Sequence, residues 1–193
     1  MSKPNMFVRI PKDRVGVLVG PDGKVKQKIE EKLFVELRVE SESGGVTIYL
    51  SEKAEDPSLL FRAKDIVTAV GRGFSPDYAF RLIRNEDDIF DMIDLRTIFG
   101  RSESDIRRVK GRVIGANGKT RKLIEELTEA SVVIYGHTIG FIGTFEQVEV
   151  ARNAVNMLIE GSQHQSVYKY LQRKRRLFKK QKLKLWEEKP KEY

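Results

Sequence analysis

Two stretches of this chain match at a spacing of 95 residues, and this duplication limits the fold more than any other feature. Leu18-Val19-Gly20-Pro21-Asp22-Gly23-Lys24, running on to Ile29-Glu30-Glu31, is matched by Val113-Ile114-Gly115-Ala116-Asn117-Gly118-Lys119, running on to Ile124-Glu125-Glu126. Both glycines, the lysine, the isoleucine and the two glutamates are identical. A solenoid needs three or more stacked units, so a unit present twice implies two copies of one domain. A length of 193 residues suits two domains of modest size.

The elements around each glycine pair follow the same order. In the first copy, Phe7 to Ile10 predicts a strand, Lys12 to Val19 a short helix, and Lys24 to about Phe34 a second helix. Val35, Leu37 and Val39 alternate with Glu36, Arg38 and Glu40, the period of a half-buried strand. Ser43-Gly44-Gly45 predicts a turn, and the β-branched and aromatic Val46 to Leu50 a returning strand. Leu59, Leu60, Ala63, Ile66, Val67 and Val70 recur at helical spacing. In the second copy, a strand is expected within Ile89 to Ile98 and a helix over Ser104 to Val113. Beyond the loop a helix runs to about Glu129. A hairpin follows around Gly136-His137, from Ser131 to Tyr135 and from Thr138 to Ile142. Thr144, with Gln147 three residues on, predicts a capping box at the head of the last helix. Ser75-Pro76 reads as the start of a linker helix with Ala79, Leu82 and Ile83 on its apolar side, able to fix the modules rigidly. The expected division is a first module over residues 6–74, a linker helix over 75–86, a second module over 87–162 and a basic helical tail over 163–193. The fold class is α+β.

The two glycines have a clear physical use. They allow a tight turn and keep side chains away from anything that approaches it. The second glycine opens a helix, so free N–H groups and the positive dipole end face outward, which suits a phosphate. Charge separates the copies. Between Arg107 and Lys122 lie Arg107, Arg108, Lys110, Arg112, Lys119, Arg121 and Lys122 with no acid, whereas Lys12 to Lys28 holds five bases and two acids. In the first loop, Asp22 sits where a phosphate would come, and Pro21 lacks an N–H donor. Ala116-Asn117 adds no repulsion, and Asn117 can donate a hydrogen bond. The second loop is therefore expected to be the main clamp, with Gly115, Ala116, Asn117, Gly118, Lys119, Arg121, Lys122, Arg112, Lys110 and Arg108 as contacts. Gly20, Pro21, Asp22, Gly23, Lys24 and Lys26 are the corresponding set in the first. Ile106, Val109, Val113 and Ile114, with Ile124, Val132 and Ile134, are candidates for an apolar groove, most of them being core.

The net charge of +8 lies entirely at the C-terminal end. Residues 1–164 hold 25 bases and 25 acids, and residues 165–193 hold 11 bases and 3 acids. Tyr170/Leu171, Leu177/Phe178 and Leu185 recur about every seven residues, the mark of a basic amphipathic helix, frayed past Trp186 and Pro190. It can dock on RNA, on a protein, on anionic lipid or back on the body.

Other chemistries find little support. The absence of cysteine excludes disulfides, thiolate-held metals and thiol catalysis. No apolar run long enough for a membrane span and no secretion signal is present, which points to a cytoplasmic protein. Asp87, Asp88, Asp91 and Asp94 alternate with Ile89, Phe90, Met92 and Ile93, which reads as a strand with an acidic outer face rather than a metal site. His137 and His164 have no catalytic partner nearby in sequence. No cofactor and no enzymatic activity are expected.

The hydrophobic residue–Gly-x-x-Gly–Lys motif within β-α-α-β-β-α resembles the type I KH domain, which clamps about four single-stranded nucleotides. Two such modules and a basic tail are similar to the archaeal relatives of the partner-of-Nob and Krr-type ribosome-assembly factors. Residues Val109 to Arg121 carry that likeness most sharply. The resemblance implies binding to the 3′ region of small-subunit ribosomal RNA during processing and assembly. It also implies assistance to a Nob-type endonuclease and contact with other small-subunit assembly or translation factors. A messenger-RNA regulator and a protein-docking scaffold are the alternatives.

Overall fold

The computed structural model describes residues 4–187. The first half runs β1 (Asn5–Arg9), α1 (Lys12–Val19), α2 (Lys24–Leu33), β2 (Val35–Glu40), β3 (Gly45–Leu50) and α3 (Leu59–Gly71). Two one-turn helices follow, α4 (Pro76–Ala79) and α5 (Arg81–Arg84). The second half runs β4 (Asp88–Asp94), α6 (Leu95–Phe99), α7 (Glu103–Ile114), α8 (Lys119–Thr128), β5 (Ser131–Tyr135), β6 (Thr138–Thr144) and α9 (Phe145–Ile159). A long helix, α10 (His164–Glu187), closes the described chain. Apart from α6 and α10, each half is the expected β-α-α-β-β-α unit.

Each half builds a three-stranded antiparallel sheet with its last strand in the middle, β1-β3-β2 and β4-β6-β5. The alternation read in Val35 to Glu40 sets the register. Leu37 pairs with Ile48, and at the matching place Val132 pairs with Phe141. These four side chains face the helices and are buried. Burying one such side chain stabilises the fold by about 1.5–3 kcal/mol. The repeated glutamates complete the unit. Glu30 accepts the Leu37 N–H at 2.7 Å and Glu125 the Val132 N–H at 2.9 Å, tying each second helix to its edge strand.

The helix ends follow local chemistry. Thr144 and Gln147 form the capping box expected of them. Ser102 caps α7 through the Asp105 N–H, and Asp94 caps α6 through the Arg96 N–H. Helix α6 was not expected from sequence, since its five residues are too few to show a period. The linker differs from one continuous helix. It breaks at Phe80, and the Ser75 side chain makes no cap. Ala79, Phe80 and Leu82 are buried in the first core, and two arginines add polar ties to both halves. Arg62 on α3 donates to the carbonyls of Leu82, Asn85 and Glu86, and Arg81 reaches Asp88 at 3.0 Å and Ser131 Oγ at 3.0 Å.

The halves pack tightly together. Ile142, on the outer face of the second sheet, is buried in the first core, with Phe90 and Val133 against it. Phe74 meets Phe90 edge-to-face at 6.3 Å. Tyr135 donates to Asp13, a bond that raises the phenol pKa above its ordinary value, and Arg14 lies 5.7 Å from the centre of the Tyr135 ring. The same outer face of the first sheet carries Asn5, Arg9, Glu36, Arg38 and Glu40, all exposed, and Phe7 at 64% exposure.

The basic stretch from residue 163 docks back on the body. Val167 and Leu171 are fully buried in the second core, and Tyr170 and Phe178 pack on it. The Leu185 side chain and the fraying expected past Trp186 and Pro190 lie outside the described residues. Among the described residues no helix is long and apolar enough to cross a membrane.

Candidate nucleic-acid interface

Both glycine loops take the same backbone shape. Gly20 and Gly115 have φ of 72° and 71°, Asp22 and Asn117 of 54° and 53°, and Gly23 and Gly118 of 74° and 75°. Three residues of each four are therefore left-handed, a region that glycine enters freely and that asparagine and aspartate tolerate best among the rest. The two glycines of each loop do different work. A Cβ on Gly115 would lie 2.8 Å from Thr120 Cβ, and one on Gly20 2.8 Å from Val25 Cβ, so the first glycine lets the loop close on its own helix. A Cβ on Gly118 or Gly23 would meet nothing within 4 Å, so there only the dihedral requires glycine. Ala116 and Asn117 are exposed, and α8 begins without a side-chain cap. Its N-terminal amides and dipole thus open onto a bare loop.

The expected contact residues fall into distinct groups. Lys119 and Lys122 are exposed on the first turn of α8, and among the described residues neither has an ion pair or side-chain hydrogen bond. Lys110 donates to the Gly136 carbonyl at 2.7 Å and so pins the β5–β6 turn to α7. Arg108 pairs with Asp105 at 2.9 Å. The Asp105 carboxyl is held below its ordinary pKa first by the Ser102 hydroxyl and then by Arg108. Two cations serve the fold instead of the loop. Arg112 donates to the carbonyls of Leu158 at 3.1 Å and Ser162 at 2.5 Å, and Arg121 bridges Glu125 at 3.7 Å and the Val132 carbonyl. The stretch without acids is therefore less bare than its sequence suggests, because Asp105 and Glu125 reach in from either side.

In the first loop, Pro21 and Asp22 are exposed, and Lys24 is 3.6 Å from the Asp22 carboxylate. Lys26 pairs with Glu30 at 3.7 Å. An anion approaching there meets a carboxylate whose neighbouring cation is already engaged. The second loop presents no such obstacle.

Beside the second loop lies an open groove of about 450 Å3, lined by Ile106, Arg107, Lys110, Gly111, Ile114 and His137 among others. Of the apolar candidates, Ile106, Val109, Val113, Ile124 and Val132 are buried core, while Ile114 stands 36% exposed at the groove. His137 sits 3.5 Å from Asp94. Gly111 was overlooked in the sequence, although the signal was there. Gly16 and Gly111 stand four residues before the loop glycine in both copies, inside helices, where glycine is about 1 kcal/mol worse than alanine. Both are exposed, and a Cβ on either would meet nothing within 4 Å. Packing does not account for them, and a bare helix face lets a flat ring come close.

The aspartate row is not an acidic outer face. Asp88 is 2% exposed and bound by Arg81, Asp91 pairs with Arg152, and Asp94 caps α6. Among the described residues no group of ligating side chains could hold a metal ion. His164 contacts the Arg112 carbonyl through Nε2 at 3.0 Å, a contact within the fold.

A family model for the second KH domain of PNO1, described as a eukaryotic-type KH domain (KH-domain type I), matches residues 89–176. A KH domain-containing protein of Methanocaldococcus jannaschii is 45% identical over 183 residues, covering 95% of this chain and 79% of that protein. The pre-rRNA-processing protein pno1 of Schizosaccharomyces pombe is 32% identical over 171 residues, covering 86% of this chain and 70% of that protein. A crystal structure of an a/eIF2α–aDim2p–rRNA complex from Pyrococcus horikoshii contains a chain of 44% identity that superposes with a TM-score of 0.84, covering 90% of this chain and 95% of that one.

Proposed function

The chain belongs to the PNO1/Dim2 family of KH-domain pre-rRNA-processing proteins, and from that premise we propose that it clamps single-stranded small-subunit ribosomal RNA near its 3′ end, mainly through the second glycine loop. The observation that carries this reading is the contrast between two loops of one backbone shape. One presents Ala116 and Asn117 beside the unpaired Lys119 and Lys122, and the other presents an aspartate. Phosphates sit on the amides of Gly115 to Gly118 and draw on Lys119 and Lys122. Bases lie in the groove over Gly111 and Ile114, with Arg107, Lys110 and His137 along their edges. Arg112 and Arg121 hold the frame and are not phosphate contacts.

The protein acts as a binding factor in the cytoplasm, not as an enzyme. Its first module, with Asp22 in the loop, is freer to meet a protein. A Nob-type endonuclease is one such partner. A translation factor is another, since the solved aDim2p relative is in complex with a/eIF2α as well as rRNA.

Replacing Ala116 and Asn117 with aspartate tests the clamp. Affinity for single-stranded RNA is expected to fall more than tenfold, with thermal unfolding little changed. Unchanged affinity would remove the clamp and favour a docking scaffold. Sequencing RNA crosslinked to the protein in cells decides the target, and reads concentrated away from the 3′ end of the small-subunit RNA would refute it.

A further inference from the structure

Helix α10 carries more charge than its docking needs. Between His164 and Trp186 there are nine Lys and Arg and no Asp or Glu. The apolar side is spent on the core through Val167 and Leu171. On another side, Lys169, Arg173, Arg176 and Lys180 are all exposed, at spacings of four, three and four. That spacing places them in one line along a helix, spanning about 16 Å. Among the described residues no acid pairs with any of the four, whereas Arg175, off this line, pairs with Glu126 at 3.7 Å.

The start of this line is fixed to the loop. The Tyr168 hydroxyl is 3.0 Å from Thr120 Oγ1, and Thr120 is the residue on which Gly115 closes. Arg175 meets Glu126 one helical stretch further on, so α10 runs alongside α8 in the same direction, away from the loop. Lys169, next to Tyr168, therefore lies at the loop end of the line. The first module has valine at the place of Thr120, and among the described residues no such helix packs on it.

We propose that Lys169, Arg173, Arg176 and Lys180 form a second phosphate track, along which the RNA strand held at the second loop continues. This rests on the RNA-clamp reading and extends it. The loop accounts for about four nucleotides. The track adds a sequence-blind hold on the flanking backbone, because cations on a helix read charge and not bases.

The test uses the full chain and two single-stranded RNAs, one of about five nucleotides that fills the loop alone and one of about sixteen. All four cations are replaced by glutamine (K169Q, R173Q, R176Q, K180Q), which keeps good helix propensity. Affinity for the short RNA should stay within twofold. Affinity for the long RNA should fall at least tenfold, and the slope of log K against log salt should shrink by about 0.7 per lost contact, roughly 2 to 3 in all. Unchanged long-RNA affinity and slope would overturn the track, as would an equal loss on both RNAs, which would mean the change acts through the loop. Vesicles containing phosphatidylserine provide a further arm: if the variant loses them but keeps the long RNA, the stripe serves lipid and the proposal fails. The A116D, N117D variant separates the two readings. If it binds both RNAs normally while the glutamine variant loses the long one, the clamp reading fails, and the four cations hold RNA by themselves rather than continuing a strand from the loop, which overturns the track as proposed.

Discussion

Thr120 and Val25 occupy the same place in the two copies, each directly behind the first glycine of its loop. That contact sorts the glycines by cost. Gly118→Ala meets only a left-handed dihedral and should lose about 1 kcal/mol. Gly115→Ala meets the same dihedral and also the Thr120 backbone nitrogen at 2.9 Å, so it should lose clearly more, about 2–4 kcal/mol. Denaturant unfolding of the two variants checks the order, and equal losses would contradict it. Both glycine pairs were legible as a motif, but which glycine closes on its own helix was not, since it depends on a side chain five residues further on. The arginines show the opposite case. Arg14 donates to the carbonyls of Val70 and Phe74, and Arg112 to those of Leu158 and Ser162, so each fastens the end of the last helix of its unit. Arg14 stands six residues before its loop and Arg112 three, so an alignment of the copies does not pair them, and Arg112 read as one more free cation.

At the scale of elements, residue pattern and composition placed all six strands and every helix that buries a full face, and the resemblance to the KH domain supplied the sheets. Periodicity failed where an element is short or where one pattern fits several partners. Helix α6 and the broken linker are too brief to carry a period; α6 starts at the local Asp94 cap, and the linker is placed by Arg62 and Arg81 through contacts distant in sequence, to Leu82 and Ser131. The heptad of α10 showed an apolar side but not what it would meet; only the fold brings Val167 and Leu171 onto the second core. The capping box of α9 was legible because its two residues are local. Thr144→Ala should therefore cost about 1 kcal/mol, read as a lower midpoint in thermal or denaturant unfolding, while RNA affinity at the distant loop stays unchanged. A loss below a few tenths of a kcal/mol would mean that packing of Val148 and Ala151 alone sets the helix start.

For the whole molecule, the differences between the two copies on their outer sheet faces follow from how the halves stack. The second sheet shows Phe90, Val133, Tyr135 and Ile142 toward the first half, which covers them. The first sheet has nothing of the described chain over its equivalent face and shows mainly polar residues there. This explains why the repeat is strongest at the loops and fades along the strands. Phe74 is the centre of the contact, edge-on to Phe90 and beside Gly140, where a Cβ would come within 2.9 Å of its ring. Phe74→Ala should cost about 3–5 kcal/mol, and both halves should melt together rather than one before the other. Hydrogen exchange resolved by segment checks this; an intact second half outliving the first would show two independent folding units.

The burial of Ile142 in the first core has a lasting consequence for how such a chain can change. Gene duplication usually yields parts that can later be shuffled, lost or lent to other proteins. Here one copy has become the shelter of the other, so a deletion of either would leave a greasy wound on the survivor. The fold therefore needs both copies, and the first keeps a structural task whatever its own loop holds.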